Sequence, residues 1–283
     1  MYELMFNDNG NFVVSKVIKV MPKATVHKIA ELCRGKCYKL SRDKSACRIV
    51  QRLLDRFPTD EIRFIFEELR AEINALILDE FGNYVLSHVL LCGTYDDKCF
   101  IIEKILDDIV QLSLHKFGSN VVEKCLELAP ENMREMILDR IVAVPVQNQR
   151  LTLIDLLNSQ FGNYVVQRTF EMSNSQRRGI LIFKIEQVLQ SGKLIQNKHS
   201  RHVISNLVKQ GIEFKVPNIE QFINEPTQQS QSKQPSQKQS KLKPDSEKKS
   251  AQAQPSVRNR PSANSGNRPS LGSLNSGKFS QVS

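Results

Sequence analysis

FGNYVLSHVL (Phe81–Leu90), FGSNVVEKCL (Phe117–Leu126) and FGNYVVQRTF (Phe161–Phe170) are three versions of one phrase, and SACRIVQRLL (Ser45–Leu54) is a fourth with its first two positions changed. Internal repetition sets an architecture before any single residue is interpreted. The framework stays constant while three slots change. Asn83, Tyr84 and Ser87 become Ser119, Asn120 and Glu123, then Asn163, Tyr164 and Gln167; Cys47, Arg48 and Gln51 fill the same slots in the fourth copy. Outward from these, Asn11, Cys47, Asn83 and Ser119 follow one another at 36 residues, so Asn11, Phe12 and Ser15 form a further triplet. Ser119 to Asn163 is 44 residues, which places an insertion around Pro145 to Arg150. A degenerate copy, HSRHVISNLV (His199–Val208), lies 38 residues further on and puts Arg201, His202 and Ser205 in the slots.

Within each unit the apolar residues recur at helical spacing. Ile102, Ile105, Leu106 and Ile109 make one stripe; Val121, Val122, Cys125 and Leu126 make a second after the break at Phe117 and Gly118. Pro58 with Thr59 and Asp60, Thr94 with Asp96, and Pro130 with Glu131 read as helix openings. Two main helices per unit follow, with room for a short extra turn. Units this small cannot bury a face alone, so the predicted fold is all-α, an α-solenoid of stacked repeats. The expected boundaries are a partial unit 1–21, then 22–57, 58–93, 94–129 and 130–173, a degenerate flanking unit 174–211, and the end of the folded region at 212–224. Met1 falls inside a unit, so the first one is expected to present a raw edge.

Residues 225–283 change character: Gln, Ser, Lys, Pro and Asn dominate, with almost no large apolar side chain before Phe279. Such a segment is expected to be disordered. It holds ten Lys or Arg against three Asp or Glu, a net +7 out of the chain's +10, which leaves +3 for residues 1–224. The basic charge therefore says little about the repeats themselves. The six cysteines show no zinc-type spacing and read as small buried hydrophobes; His27, His88 and His115 are scattered and read as packing or surface. With no signal peptide, no apolar run approaching about 18 residues and no glycine loop or acid–base pair, the expectation is a cytoplasmic chain without cofactor, metal, membrane contact or catalytic activity.

The 36-residue unit, the stretched penultimate spacing and the slots NYxxQ, SNxxE and CRxxQ resemble the Pumilio (PUF) family of RNA-binding repeat proteins. The resemblance covers residues 1–211 and implies repeats four to eight with the C-terminal flank. Ser87 stands where the family usually has Gln, and Asn11, Phe12 and Ser15 make an unusual triplet. What the resemblance implies is a monomer that reads single-stranded RNA one base per unit, each base met by two or three side chains. Its C-terminal repeat takes the 5′ end, which gives 5′-UGUA followed by a weakly specified base. The targets would be mRNA 3′ untranslated regions, with a deadenylase or another repressor as partner and post-transcriptional control of translation and stability as the outcome.

The slots make chemical sense in those terms. Residues i and i+4 of a helix share a face, so Asn163 with Gln167 is expected to meet uracil with amide donors and acceptors. Glu123, beside Ser119, is an acceptor-only carboxylate suited to guanine's two donors. Asn83 with Ser87 takes the second U, Cys47 with Gln51 the adenine, and Asn11 with Ser15 the last base. Tyr164, Asn120, Tyr84, Arg48 and Phe12 sit where a base can be sandwiched between units. Lys124, Arg168 and Arg52 beside the slots are candidates for phosphate contact. Two other readings stay open: an armadillo- or HEAT-like scaffold that binds a protein, and a relative that binds nucleic acid without sequence preference.

Overall fold

The computed structural model describes residues 1–224 except 148, 193, 195–197 and 218; the side chain of residue 221 is also outside the description, as is the expected basic tail, 225–283. Helices account for all the regular structure among the described residues. A short α1 (Tyr2–Phe6) leads into α2 (Gly10–Val20). The next unit holds α3 (Lys23–Cys33), α4 (Cys37–Ser41) and α5 (Cys47–Arg56). A 3-10 turn (Thr59–Ile62) opens the third, with α6 (Arg63–Ala71), α7 (Ile73–Ile77) and α8 (Gly82–Cys92). The fourth contains α9 (Tyr95–Asp107), α10 (Ile109–Leu114) and α11 (Gly118–Leu128); the fifth contains α12 (Glu131–Val142), α13 (Leu153–Asn158) and α14 (Gly162–Met172). Then come α15 (Ser175–Gln190), α16 (Lys198–Lys209) and α17 (Ile219–Asn224).

The extra turn is thus a separate short helix in each unit. α4, α7, α10 and α13 are too short to persist alone in water. They are held because Leu40, Leu76, Leu112 and Leu156 plug the core between the long helix and the slot helix. The slot helices α2, α5, α8, α11, α14 and α16 pack in sequence as one row, and α9, α12 and α15 form a second row behind them. In the stretched unit the residues between α12 and α13, 143–152, hold the extra length. Lys184 Nζ anchors that segment by donating to the carbonyls of Val142 and Val144 at 2.6 and 2.9 Å.

The Phe-Gly pair is a joint. Gly82, Gly118 and Gly162 let each slot helix begin against the end of the preceding short helix, where an added Cβ would meet the carbonyl oxygens of Leu76, Leu112 and Leu156 at 3.0, 2.8 and 2.9 Å. Capping is periodic as well. Two residues before each pair, one side-chain acceptor receives two successive backbone N–H groups: Asp79 Oδ1 from Phe81 and Gly82, Ser159 Oγ from Phe161 and Gly162, and Asp43 Oδ1 from Ser45 and Ala46. Asn7 Oδ1 does the same for Asn9 and Gly10. These are the otherwise orphaned donors of a helix start. His115, read from sequence as packing or surface, occupies this capping place in the fourth unit, where Nδ1 accepts from Phe117 and Gly118 at 3.3 and 3.2 Å.

Ion pairs between the long helices tie successive units together. Arg63 grips Asp97 with two hydrogen bonds of 2.8 and 2.7 Å, and Arg177 reaches Glu135 and Asp139 at 2.5 and 2.7 Å. Val13 is 59% exposed, whereas its counterparts Ile49, Val85, Val121 and Val165 are fully buried.

Candidate nucleic-acid interface

Each slot triplet sits at the start of a slot helix and shows the same gradient of burial. The first residue is inside: Asn11, Cys47, Asn83, Ser119 and Asn163 are all buried. The second stands out, with Phe12, Arg48, Tyr84 and Tyr164 exposed and Asn120 half-buried; the third, at Ser15, Gln51, Ser87, Glu123 and Gln167, is half-buried. All five triplets therefore lie along one face of the stacked row, one per helix.

Burial of the first residue changes how it can act. A buried amide must satisfy its N–H groups within the protein. Asn83 Nδ2 donates to the carbonyls of Asp79 and Glu80 at 2.8 and 2.9 Å, Asn11 Nδ2 to those of Asn7 and Asp8, and Asn163 Nδ2 to Ser159 at 2.8 Å. These Asn nitrogens are committed to the capping turn, and the oxygens of Asn83 and Asn163 lie toward the slot residues Asn120 and Gln167.

The third residues are also engaged. Gln167 Nε2 lies 3.1 Å from Asn163 Oδ1, and Ser87 Oγ donates to the Asn83 carbonyl at 2.9 Å. Asn120 folds toward the neighbouring unit, its Nδ2 3.4 Å from Asn83 Oδ1. Arg48 lies with its guanidinium carbon 5.7 Å from the Phe12 ring centroid, so these two stacking groups face each other across a unit boundary. Burial pushes the Cys47 thiol up to about 11, the nearby Arg48 opposing it, so the sulfur stays protonated and offers a soft apolar contact.

The cations beside the slots are paired. Arg52 meets Asp55 at 3.0 Å, Lys124 meets Glu127, and Arg168 meets both Glu127 and Glu171 at 3.0 Å. His88 of α8 likewise reaches back to Asp55 of α5 at 2.9 Å. A phosphate approaching this face would have to compete with carboxylates already in place. The sequence reading missed these acids and the capping series. Their signal was present, since Asp55 and Glu127 stand four residues past Gln51 and Glu123, and the caps stand four before each triplet.

Among the described residues no group of three or more His, Cys, Asp or Glu side chains could hold a metal, and no helix is long and apolar enough to cross a membrane.

Four segments, 36–70, 72–106, 108–142 and 154–186, match the Pumilio-family RNA binding repeat. That frame opens at the short helix, whereas the sequence reading cut each unit before the long one. Pumilio homolog 12 of Arabidopsis thaliana is 29% identical over 204 residues, 72% of this chain and 33% of that protein, so the chain spans about a third of its relative's length. Among solved structures, the chain resembles the Puf3 RNA binding domain bound to an RNA 3′ UTR recognition sequence, with a TM-score of 0.65, 26% identity and 73% of this chain matched to 62% of that one. It also resembles PUF-8 in complex with PBE-RNA, with a TM-score of 0.66, 27% identity, and 75% and 61% of the two chains. With matched repeats in tandem and the same solenoid carrying them, the chain belongs to the Pumilio family of RNA-binding repeat proteins.

Proposed function

We propose that the row of slot helices binds single-stranded RNA in a sequence-specific way, one base per unit, with 5′-UGUA as the core. The observation that carries this is the repeated gradient of burial: on five adjacent helices an acceptor or small side chain lies inside and a polar group reaches partway out, and on four of them a flat group stands exposed between these two, Asn120 being half-buried. Flat groups give stacking worth about 1–3 kcal/mol per base with little preference, and the polar groups supply discrimination. The two structural relatives named above are both bound to RNA, which supports the same reading.

In this register Asn163 Oδ1 accepts from uracil N3–H while Gln167 Nε2 donates to a carbonyl of the same base. Glu123 accepts from guanine N1–H and its amine. Asn83 Oδ1 serves the second uracil, Gln51 and the Cys47 sulfur meet adenine, and Asn11 with Ser15 meets a loosely chosen fifth base. Family membership extends the proposal to a cytoplasmic monomer acting on mRNA 3′ untranslated regions, with a deadenylase or another repressor as protein partner and no catalysis of its own.

Competition at fixed salt tests it. UGUA-containing RNA should displace a labelled probe at far lower concentration than RNA carrying UCUA. Equal displacement would indicate a non-specific binder, and no binding of either would indicate a protein scaffold.

A further inference from the structure

Asn206 lies on α16, one residue beyond the last slot position, Ser205, in a unit whose own triplet is degenerate. Its Nδ2 donates to Gln167 Oε1 at 2.7 Å. Gln167 Nε2 lies 3.1 Å from Asn163 Oδ1, and Asn163 Nδ2 donates to the Ser159 carbonyl at 2.8 Å. This chain of amides has a direction imposed from its inner end. A backbone carbonyl can only accept, so Asn163 must turn its nitrogen to Ser159 and its oxygen to Gln167. Gln167 must then turn its nitrogen inward and its oxygen toward Asn206. His202 Nε2, 3.2 Å from the same Asn206 nitrogen, can accept its second hydrogen and hold that side chain from the other side.

The place Asn206 occupies has a different task elsewhere in the row. Its counterparts His88 and Arg168 reach one turn further along the preceding slot helix, to Asp55 and Glu127. The shorter Asn206 stops at the slot residue itself.

The sense of the Gln167 amide matters because uracil and cytosine differ by exchanging acceptors for donors. Uracil offers O4 and an N3 hydrogen; cytosine offers an N4 amine and a bare N3. An amide free to flip can pair with either base. Gln167 Nε2 also donates to the Asn163 backbone carbonyl at 3.2 Å; once a base draws that nitrogen off both Asn163 oxygens, the contact that still sets the amide's sense is the one from Asn206.

We propose that Asn206 is a positioning residue: by holding Gln167 Oε1 it makes Gln167 present its nitrogen to the base, and so sets the preference for uracil over cytosine at the 5′ position. This rests on the proposed reading of that base by Asn163 and Gln167. Asn206→Leu keeps the size and removes the donor. Asn206→Asp keeps the shape and makes the group an acceptor, which should draw the Gln167 nitrogen toward itself and turn Oε1 to the base.

The test is to measure affinities of wild type and both variants for RNAs differing only at the first or second base: UGUA, CGUA and UAUA. With Asn206→Leu the preference for UGUA over CGUA should fall about three- to tenfold, the range of one neutral hydrogen bond. With Asn206→Asp it should fall further, CGUA gaining in absolute affinity. The preference for UGUA over UAUA, set by Glu123, should not move in either. An unchanged U-to-C preference in both variants overturns the inference, and so does an equal loss for all three RNAs, which marks a purely structural part for Asn206. A wild type that distinguishes none of the three RNAs overturns the base reading, and the inference with it, before any variant is made.

Discussion

Arg168 of α14 lies 3.0 Å from Glu127 of α11, one unit away, while Lys124 holds the same carboxylate from its own helix. One acid thus neutralises two cations beside the slots of Glu123 and Gln167. Glu127→Gln should release Lys124 for phosphate contact, whereas Arg168 keeps its second carboxylate, Glu171. Because log K falls with log salt by about 0.7 per phosphate neutralised on a single strand, the variant should bind more tightly at low salt with a slope steeper by about that amount. Titrations over a range of salt concentrations measure it; an unchanged slope would mean that Lys124 does not reach the backbone.

Glu123→Gln should weaken binding to UGUA and relax the second base. Replacing the carboxylate leaves an amide that can accept from only one of guanine's two donors and turns its own N–H toward the other. The loss of preference for G over A or U should be about 1–3 kcal/mol, as for a bidentate base contact. Affinities for the four second-base variants of the same RNA give the answer.

Ser87 should make the third base of the proposed core the loosest of the four. Its hydroxyl is short, and its one hydrogen is already donated to the Asn83 carbonyl at 2.9 Å, which leaves no donor for a uracil carbonyl. Ser87→Gln should sharpen the preference for U there by about 0.5–1.5 kcal/mol, one added hydrogen bond. Binding-site selection from a random RNA pool, compared between wild type and variant, would show a gain of information at that position alone.

Asp97 bears on stability rather than reading. Its carboxylate caps α9 through Thr94, takes both prongs of Arg63 and is almost wholly buried. Burial pushes its pKa up, but the Arg63 and Thr94 hydrogen bonds outweigh this and hold it below the usual carboxylate value. The folded pKa is thus depressed, so the stabilisation is full above the unfolded value of about 3.9 and is lost as pH falls through the folded one. Asp97→Ala should cost about 2–4 kcal/mol at neutral pH, because it strands a partly buried guanidinium and removes a cap. Denaturant melts at neutral and acid pH check both parts: the gap between wild type and variant should narrow below about pH 4.

The amino-acid sequence by itself determined the repeat, its spacing and which positions vary within it. Those depend on periodicity within one helix and on a spacing that recurs along the chain, and both are one-dimensional facts. It also placed the insertion, since Ser119 to Asn163 is longer than the other intervals. The tertiary structure alone decided which atoms remain on offer. Asn83 and Asn163 look like whole amides on paper, yet their nitrogens are committed to carbonyls of the turn before the helix, because a buried donor without a partner is costly. His115 became a helix cap, Arg168 found Glu127, and Asn206 found Gln167. The last two pairs join residues about one unit apart in sequence. Their distances are set by how one repeat stacks on the next, and no pattern inside a single repeat records that geometry.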